Sequence, residues 1–498
     1  MFLNNKIVIG KNDDKELYIV PKMANRHGII TGASGSGKTT TVKVMAESFS
    51  DAGIPVFYVD VKGDLASISK EGVSNPNVDE RVSKLNLVDF NYQAFPTTFF
   101  DVFGKKGHPI RTTISDIGPR LLSRMLELSD AQEGILSIIF QIAEDENMKL
   151  NDLGDLKSLV SYVNDNKNEY ISKYGSITSM SISTIQRSLL MLEQQDGECF
   201  FGKPELQLFD LLQYDMNGKG YVNVLDAQEL YKKPTLYAAF LIWLLNNLFD
   251  NMPEVGDLEK PKLILFLDEA HLIFSEMSSN LIKSIIQVVK LIRSKGVGVY
   301  FISQSPSDVP EEILAQLGNK VQHVLRSYTP SDEKAIKAAA NSFRSNPQFK
   351  TEDIIKELAT GEALISFLNE NGEPNIVERS LILPPQSFMG TITDSERDMI
   401  IKQSRIYMKY ENVNDEESAT EMVSKATDLR IKKEEEEKQA LINAKEKEKA
   451  DKLKAKEEEK KKKEQDRMMK KVTNQVTNKV IGKATSKVVN SLWKNIFK

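Results

Sequence analysis

Residues 32–39 read Gly-Ala-Ser-Gly-Ser-Gly-Lys-Thr, a Gly-x4-Gly-Lys-Thr phosphate-binding loop with no position out of place. The run His27-Gly28-Ile29-Ile30-Thr31 leads into it, and residues 40–49 have the pattern of a helix. Strand, glycine loop and helix in that order demand a layered α/β fold, because the strand must be buried and the helix must pack on it. The chemistry explains the residue types. Glycines let backbone N–H groups close around phosphate oxygens at a helix N-terminus, where unpaired donors and the dipole favour an anion. Gly32, Ala33, Ser34, Gly35, Ser36, Gly37, Lys38, Thr39 and Thr40 are therefore expected to bind a nucleoside triphosphate. Lys38 would reach the β- and γ-phosphates, and Thr39 would hold Mg²⁺ through its hydroxyl.

A second stretch completes the chemistry. Lys262-Leu263-Ile264-Leu265-Phe266-Leu267-Asp268-Glu269-Ala270-His271 is an apolar strand ending in two acids. Asp268 is placed to anchor Mg²⁺, and Glu269 to orient and deprotonate the attacking water of an ATP hydrolysis. The helix expected over residues 281–294 leads into a buried strand, residues 297–303, that closes on Gln304. A glutamine there can touch both the γ-phosphate and the lytic water. Arg293 and Arg326 are candidates for a charge-compensating arginine offered across a subunit interface. Residues 54–60 form another apolar run, ending in Asp60-Val61-Lys62-Gly63-Asp64. Asp60 and Asp64 then fall beyond a strand's carboxyl end, where ligands of open sheets bind and where a Mg²⁺ shell or a water network belongs.

Composition narrows the class. Cys199 is the only cysteine among 498 residues and there are four histidines, which excludes a disulfide framework and a dedicated histidine metal cluster and fits a reducing cytoplasm. The longest apolar stretch, residues 236–249, falls short of a membrane span and contains two asparagines, so a buried core helix is expected. A net charge of −5 selects no partner.

The remaining chain divides by texture. Residues 6–10 and 16–20 read as a hairpin, and residues 85–90, 95–102, 361–368 and 375–383 as strands. Between residues 104 and 205 the pattern becomes helical, with apolar residues three and four apart in 121–128, 134–143 and 182–192. The expected organisation is a nucleotide core in two segments, 1–103 and 206–390, around a helical insertion, 104–205. Residues 391–470 would form a charged helix or partly disordered arm, since Lys-Glu alternation with rare apolar residues makes no coiled-coil seam. In the tail, 471–498, Val472, Val476, Val480, Ala484, Val488, Leu492 and Ile496 recur four apart among lysines. Such a basic amphipathic helix can lie on an anionic membrane, touch nucleic acid or pack on a partner.

With these pieces placed, the chain resembles the HerA/FtsK superfamily of P-loop ATPases, and more narrowly the bacterial HerA-like "helicase-like" family. The resemblance covers roughly residues 1–390. It is carried by Met23-Ala24-Asn25-Arg26-His27-Gly28 before the phosphate loop, Asp60-Val61-Lys62-Gly63-Asp64-Leu65, Ile185-Gln186-Arg187-Ser188-Leu189-Leu190, Phe266-Leu267-Asp268-Glu269-Ala270-His271, and Leu291-Ile292-Arg293-Ser294-Lys295-Gly296-Val297-Gly298-Val299-Tyr300. It implies a RecA-like core that assembles as a homohexameric ring and translocates on DNA, using ATP and Mg²⁺. The family's phosphate-loop lysine, acid pair, glutamine sensor and trans arginine fall on Lys38, Asp268 with Glu269, Gln304 and Arg293. Two departures matter. Only residues 1–26 precede the run that leads into the phosphate loop, against the N-terminal β-barrel with which typical members bind a nuclease, so a nuclease partner is not carried over. The core also shows no basic stripe, which leaves open a same-fold motor that moves protein at a membrane or secretion complex.

Overall fold

The computed structural model describes residues 1–13, 15–256, 258–412 and 417–493. They separate into two units, Met1–Met422 and Val423–Lys498.

The first unit is built on one 13-stranded sheet with helices on its faces. Its strands are β1 (Phe2–Leu3), β2 (Lys6–Asn12), β3 (Lys15–Ile19), β4 (Gly28–Thr31), β5 (Val56–Asp60), β6 (Thr97–Asp101), β7 (His108–Pro109), β8 (Val222–Asp226), β9 (Leu263–Leu267), β10 (Val297–Ser303), β11 (Asn319–Gln322), β12 (Glu362–Ser366) and β13 (Glu378–Ile382). They lie in the order β1-β2-β13-β12-β11-β4-β10-β9-β5-β8-β6-β7, with β3 paired to β2. From β11 to β7 the ladder is parallel. From β12 to β1 it is antiparallel. Strands β4, β5, β9 and β10 are buried at every position, which is why they read as unbroken apolar runs rather than alternating ones.

The phosphate loop leads into helix α1 (Lys38–Asp51). It packs on the sheet through Phe49, whose ring centroid lies 6.1 Å from Phe266 and 5.7 Å from Tyr300. Tyr58 joins the same cluster, 6.2 Å from Phe266. One aromatic knot therefore ties the loop's helix to β5, β9 and β10.

Residues 85–90 do not form the expected strand. Helix α2 (Pro76–Lys84) occupies the preceding stretch, started by the Asn75 side chain, which accepts from the N–H groups of Asn77 and Val78. Leu85 is buried at its end, and Leu87 and Phe90 pack on the core from turns. Helices α3 (Ile114–Met125), α4 (Asp130–Asp145), α5 (Leu153–Asp165), α6 (Lys167–Tyr174) and α7 (Ser179–Glu193) follow between β7 and β8. Helix α8 (Pro234–Asn251) is buried along most of its length. Among the described residues no helix is long and apolar enough to cross a membrane. The elements α9 (Ala270–Glu276) and α10 (Ser279–Leu291) fill the crossover from β9 to β10.

The second unit continues a single helix, Ala419–Trp493, of 75 residues. Its side chains are exposed from residue 428 to residue 480. Pairs four residues apart, such as Glu459 with Lys463 at 2.6 Å, run along it, each contributing only a few tenths of a kcal/mol. Val472, Val476 and Val480 are exposed. Ile496 and the side chains of Ala484, Val488 and Leu492 lie outside the described residues.

Candidate nucleotide site at the carboxyl edge of the sheet

Because β4, β10, β9 and β5 are parallel neighbours, their carboxyl ends share one edge. The sequence that follows each strand therefore converges there: residues 32–39 after β4, Gln304 after β10, Asp268 and Glu269 after β9, and residues 60–65 after β5.

The phosphate loop is held from the β11 and β12 side. Ala33 donates its N–H to the Val324 carbonyl at 2.8 Å, and Gly361 donates to the Ser36 carbonyl at 3.2 Å. His323 is the brace. Its Nε2 lies 2.8 Å from the Thr41 hydroxyl and its Nδ1 2.8 Å from the Glu362 carbonyl. Burial lowers this imidazole to about 4, so it is neutral at pH 7. A Cβ at Gly32 would sit 2.5 Å from the His323 Cβ, so that glycine is demanded by close approach. Gly37 is left-handed, with φ of 108°, where it turns the loop into α1. Ser36 is buried, and its hydroxyl has no hydrogen-bond partner among the described residues.

The Lys38 ammonium donates to the carbonyls of Gly32, at 2.5 Å, and Ala33, at 3.0 Å. Burial lowers it, Lys62 adds to that, and Glu269, Asp268 and Asp308 act in the opposite direction. The Thr39 hydroxyl lies 3.4 Å from the Asp64 carboxylate. Asp268 is buried, raised by that burial to about 6, and hydrogen-bonded by the Tyr58 hydroxyl. Glu269 adopts a left-handed backbone, φ 48° and ψ 54°, rare for a residue with a side chain. One of its oxygens pairs with Lys62. The other lies 3.0 Å from His271 Nδ1 without hydrogen-bond alignment.

The remaining sequence candidates separate. Gln304 is exposed in the bend after β10, between the phosphate-loop strand and the acid-pair strand. Asp64 is at the site through Thr39, whereas Asp60 is consumed by its own turn. Its carboxylate accepts the N–H groups of Gly63, Asp64 and Leu65 at 2.7, 3.2 and 3.0 Å. Arg293 lies in the turn Ile292–Lys295 that enters β10, close to His27 and at the opposite end of the strand from Lys38. It is no part of the site in its own chain. Arg326 is exposed beyond the carboxyl end of β11, on the phosphate-loop edge. Sequence reasoning assigned no role to His323, Tyr58 or Lys62. Nothing in the local pattern around them signals a partner hundreds of residues away.

The model of the Helicase HerA-like C-terminal family matches residues 5–498. The chain belongs to that family. It is similar to the "DNA double-strand break repair helicase HerA" of Sulfurisphaera tokodaii, 24% identical over 412 residues, covering 80% of this chain and 73% of that protein. The protein of the same name from Saccharolobus solfataricus is 24% identical over 405 residues, covering 79% and 70%. Among solved structures, the plasmid coupling protein TrwB in complex with a non-hydrolysable GTP analogue aligns with a TM-score of 0.51 at 13% identity, over 76% of this chain and 90% of that one. That likeness shows the fold: a RecA-like α/β core. This member of the HerA-like family is thus a P-loop ATPase of the HerA/FtsK type.

Proposed function

We propose that the protein is a ring motor that hydrolyses ATP with Mg²⁺ and translocates on DNA. The observation that carries the hydrolytic half is the convergence of Lys38, Thr39, Asp268, Glu269 and Gln304 on adjacent strand ends. In this reading the loop N–H groups and Lys38 hold the triphosphate, and Thr39 and Asp268 hold the cation. Among the described residues no three His, Cys, Asp or Glu side chains gather as a metal site. A cation here would therefore complete its shell with phosphate oxygens and water, as Mg²⁺ commonly does. When bound it compensates charge on the phosphates. Glu269 aligns and deprotonates water, and Gln304 contacts that water and the γ-phosphate.

The DNA half rests on family membership and on relatives named as DNA repair helicases. A homohexamer working in the cytoplasm, with a trans arginine from Arg293, belongs to the same reading. Arg326 is the alternative, because it sits on the nucleotide edge.

Steady-state ATP hydrolysis with and without double-stranded DNA, at two salt concentrations, tests both halves, with Lys38→Ala as the blank. Glu269→Gln should retain nucleotide binding and lose turnover on the order of 100-fold or more. DNA should stimulate the wild type, and stimulation should fall as salt rises, because phosphate contacts release counterions. A Glu269→Gln variant as active as wild type sinks the mechanism. An unchanged rate with DNA transfers the motor to a protein or membrane partner, with the basic tail as its dock.

A further inference from the structure

We propose that Lys62 is a positioning residue for Glu269, fixing one carboxylate oxygen so that the other is presented to the attacking water. This rests on the ATPase reading above, in which Glu269 activates that water.

The placement comes from the sheet. Val59 of β5 pairs with Leu267 of β9, so the turn after β5 lies one strand spacing from the acid pair. Lys62 crosses that gap and its ammonium meets Glu269 Oε1. The carboxylate side chain is 8% exposed and that of Lys62 43%, which puts the pair at the lip of the site and keeps the acid inside. Glu269 Oε2 is buried, lies 3.0 Å from His271 Nδ1 without hydrogen-bond alignment, and accepts no hydrogen bond among the described residues. An acceptor buried without an aligned donor is unfavourable, and a donor water at that oxygen removes the cost. The backbone of Glu269 is already constrained by its left-handed conformation, so the side-chain torsions are what remain to be fixed. Lys62 fixes them.

The turn that carries Lys62 is itself anchored. Asp60 accepts three of its N–H groups, and the Gln228 amide donates to the Lys62 carbonyl at 2.6 Å. The same turn brings Asp64 to Thr39. One six-residue turn therefore touches both the residue assigned to the cation and the residue assigned to water.

The test uses the full chain, with kcat and KM for ATP and the Kd of a fluorescent ATP analogue measured in parallel. Lys62→Met should lower kcat on the order of 10- to 100-fold and leave Kd within about twofold. Lys62→Arg, which keeps the cation, should recover most of the rate. In a Glu269→Gln background, Lys62→Met should add no further loss, because residues acting as a unit are not additive. Three results overturn the proposal: wild-type kcat in Lys62→Met, a loss that multiplies with that of Glu269→Gln, or a loss matched by equally weakened nucleotide binding. Wild-type protein lacking Lys38-dependent hydrolysis would instead remove the ATPase reading, and the role of Lys62 with it.

Discussion

His323 shows how one side chain can hold a phosphate loop without touching phosphate. It fills the space beside Gly32 and bonds both Thr41 and the Glu362 carbonyl. Its ring is depressed on folding to about 4 from 6.5. A base depressed in this way contributes stability above pH 6.5 that is lost as the pH falls toward 4, because the unfolded chain takes up the proton first. His323→Gln should therefore be less stable than wild type by about 1–3 kcal/mol at pH 7, and the gap should narrow by pH 5. Denaturant melts of both proteins at the two pH values check this, and a constant gap would mean that the ring does not titrate as its burial implies. At this scale legibility followed contiguity. Residues 32–39 declare themselves because eight neighbours do one job. His323 is 282 positions from Thr41, and no local spacing can encode that contact. Asp60 lies at the strand end that the sequence indicates, but its carboxylate accepts three N–H groups of its own turn. A carboxylate at a strand end can serve a cation or its own turn, and only the N–H directions tell which.

Strands β4, β5, β9 and β10 were readable because burial on both faces forces continuous apolar runs, whereas β7 and β11, equally parallel, carry no such run. Residues 85–90 failed the same test: Leu85, Leu87 and Phe90 also face the core, but they do so from turns, after a helix whose Asn75 cap and Pro76 start lie upstream. Apolar alternation reports burial, and strand only when a neighbour supplies hydrogen bonds. The order of the sheet was equally hidden, since β13 pairs with β2 across most of the chain. The element that most directly links fold to site is β9. Phe266 is fully buried between Phe49, Tyr58 and Tyr300, two residues before Asp268. Phe266→Ala should cost about 3–5 kcal/mol of stability, read as a lowered denaturant midpoint. A cost below 1 kcal/mol would mean that the aromatic knot does not hold α1 to the sheet.

The two units differ in what stabilises them. The first has a continuous apolar core spanning the sheet and α1. From residue 428 to residue 480 the second presents only exposed side chains. Removing residues 431–498 should accordingly leave the thermal midpoint of the first unit within about 2 °C, since surface changes of this kind stay near 0.5 kcal/mol. Scanning calorimetry checks it, and a fall of more than 5 °C would show that the long helix supports the core.

The central position of β4 also has a consequence during synthesis. The phosphate loop leaves the ribosome well before the strands beside it, and the strand that carries it has no partner until residues 297–303 and 319–322 have followed. Residues 6–12 pair at once with residues 2–3 and 15–19, but their link to the rest of the sheet waits for residues 378–382. A nascent chain thus carries the loop's sequence long before it can hold the loop's shape, with the apolar residues Ile29 and Ile30 uncovered in the interval. Nucleotide affinity is a property that this chain acquires only after residues 297–322 have been added, and the interval before it is when the chain is most exposed to aggregation.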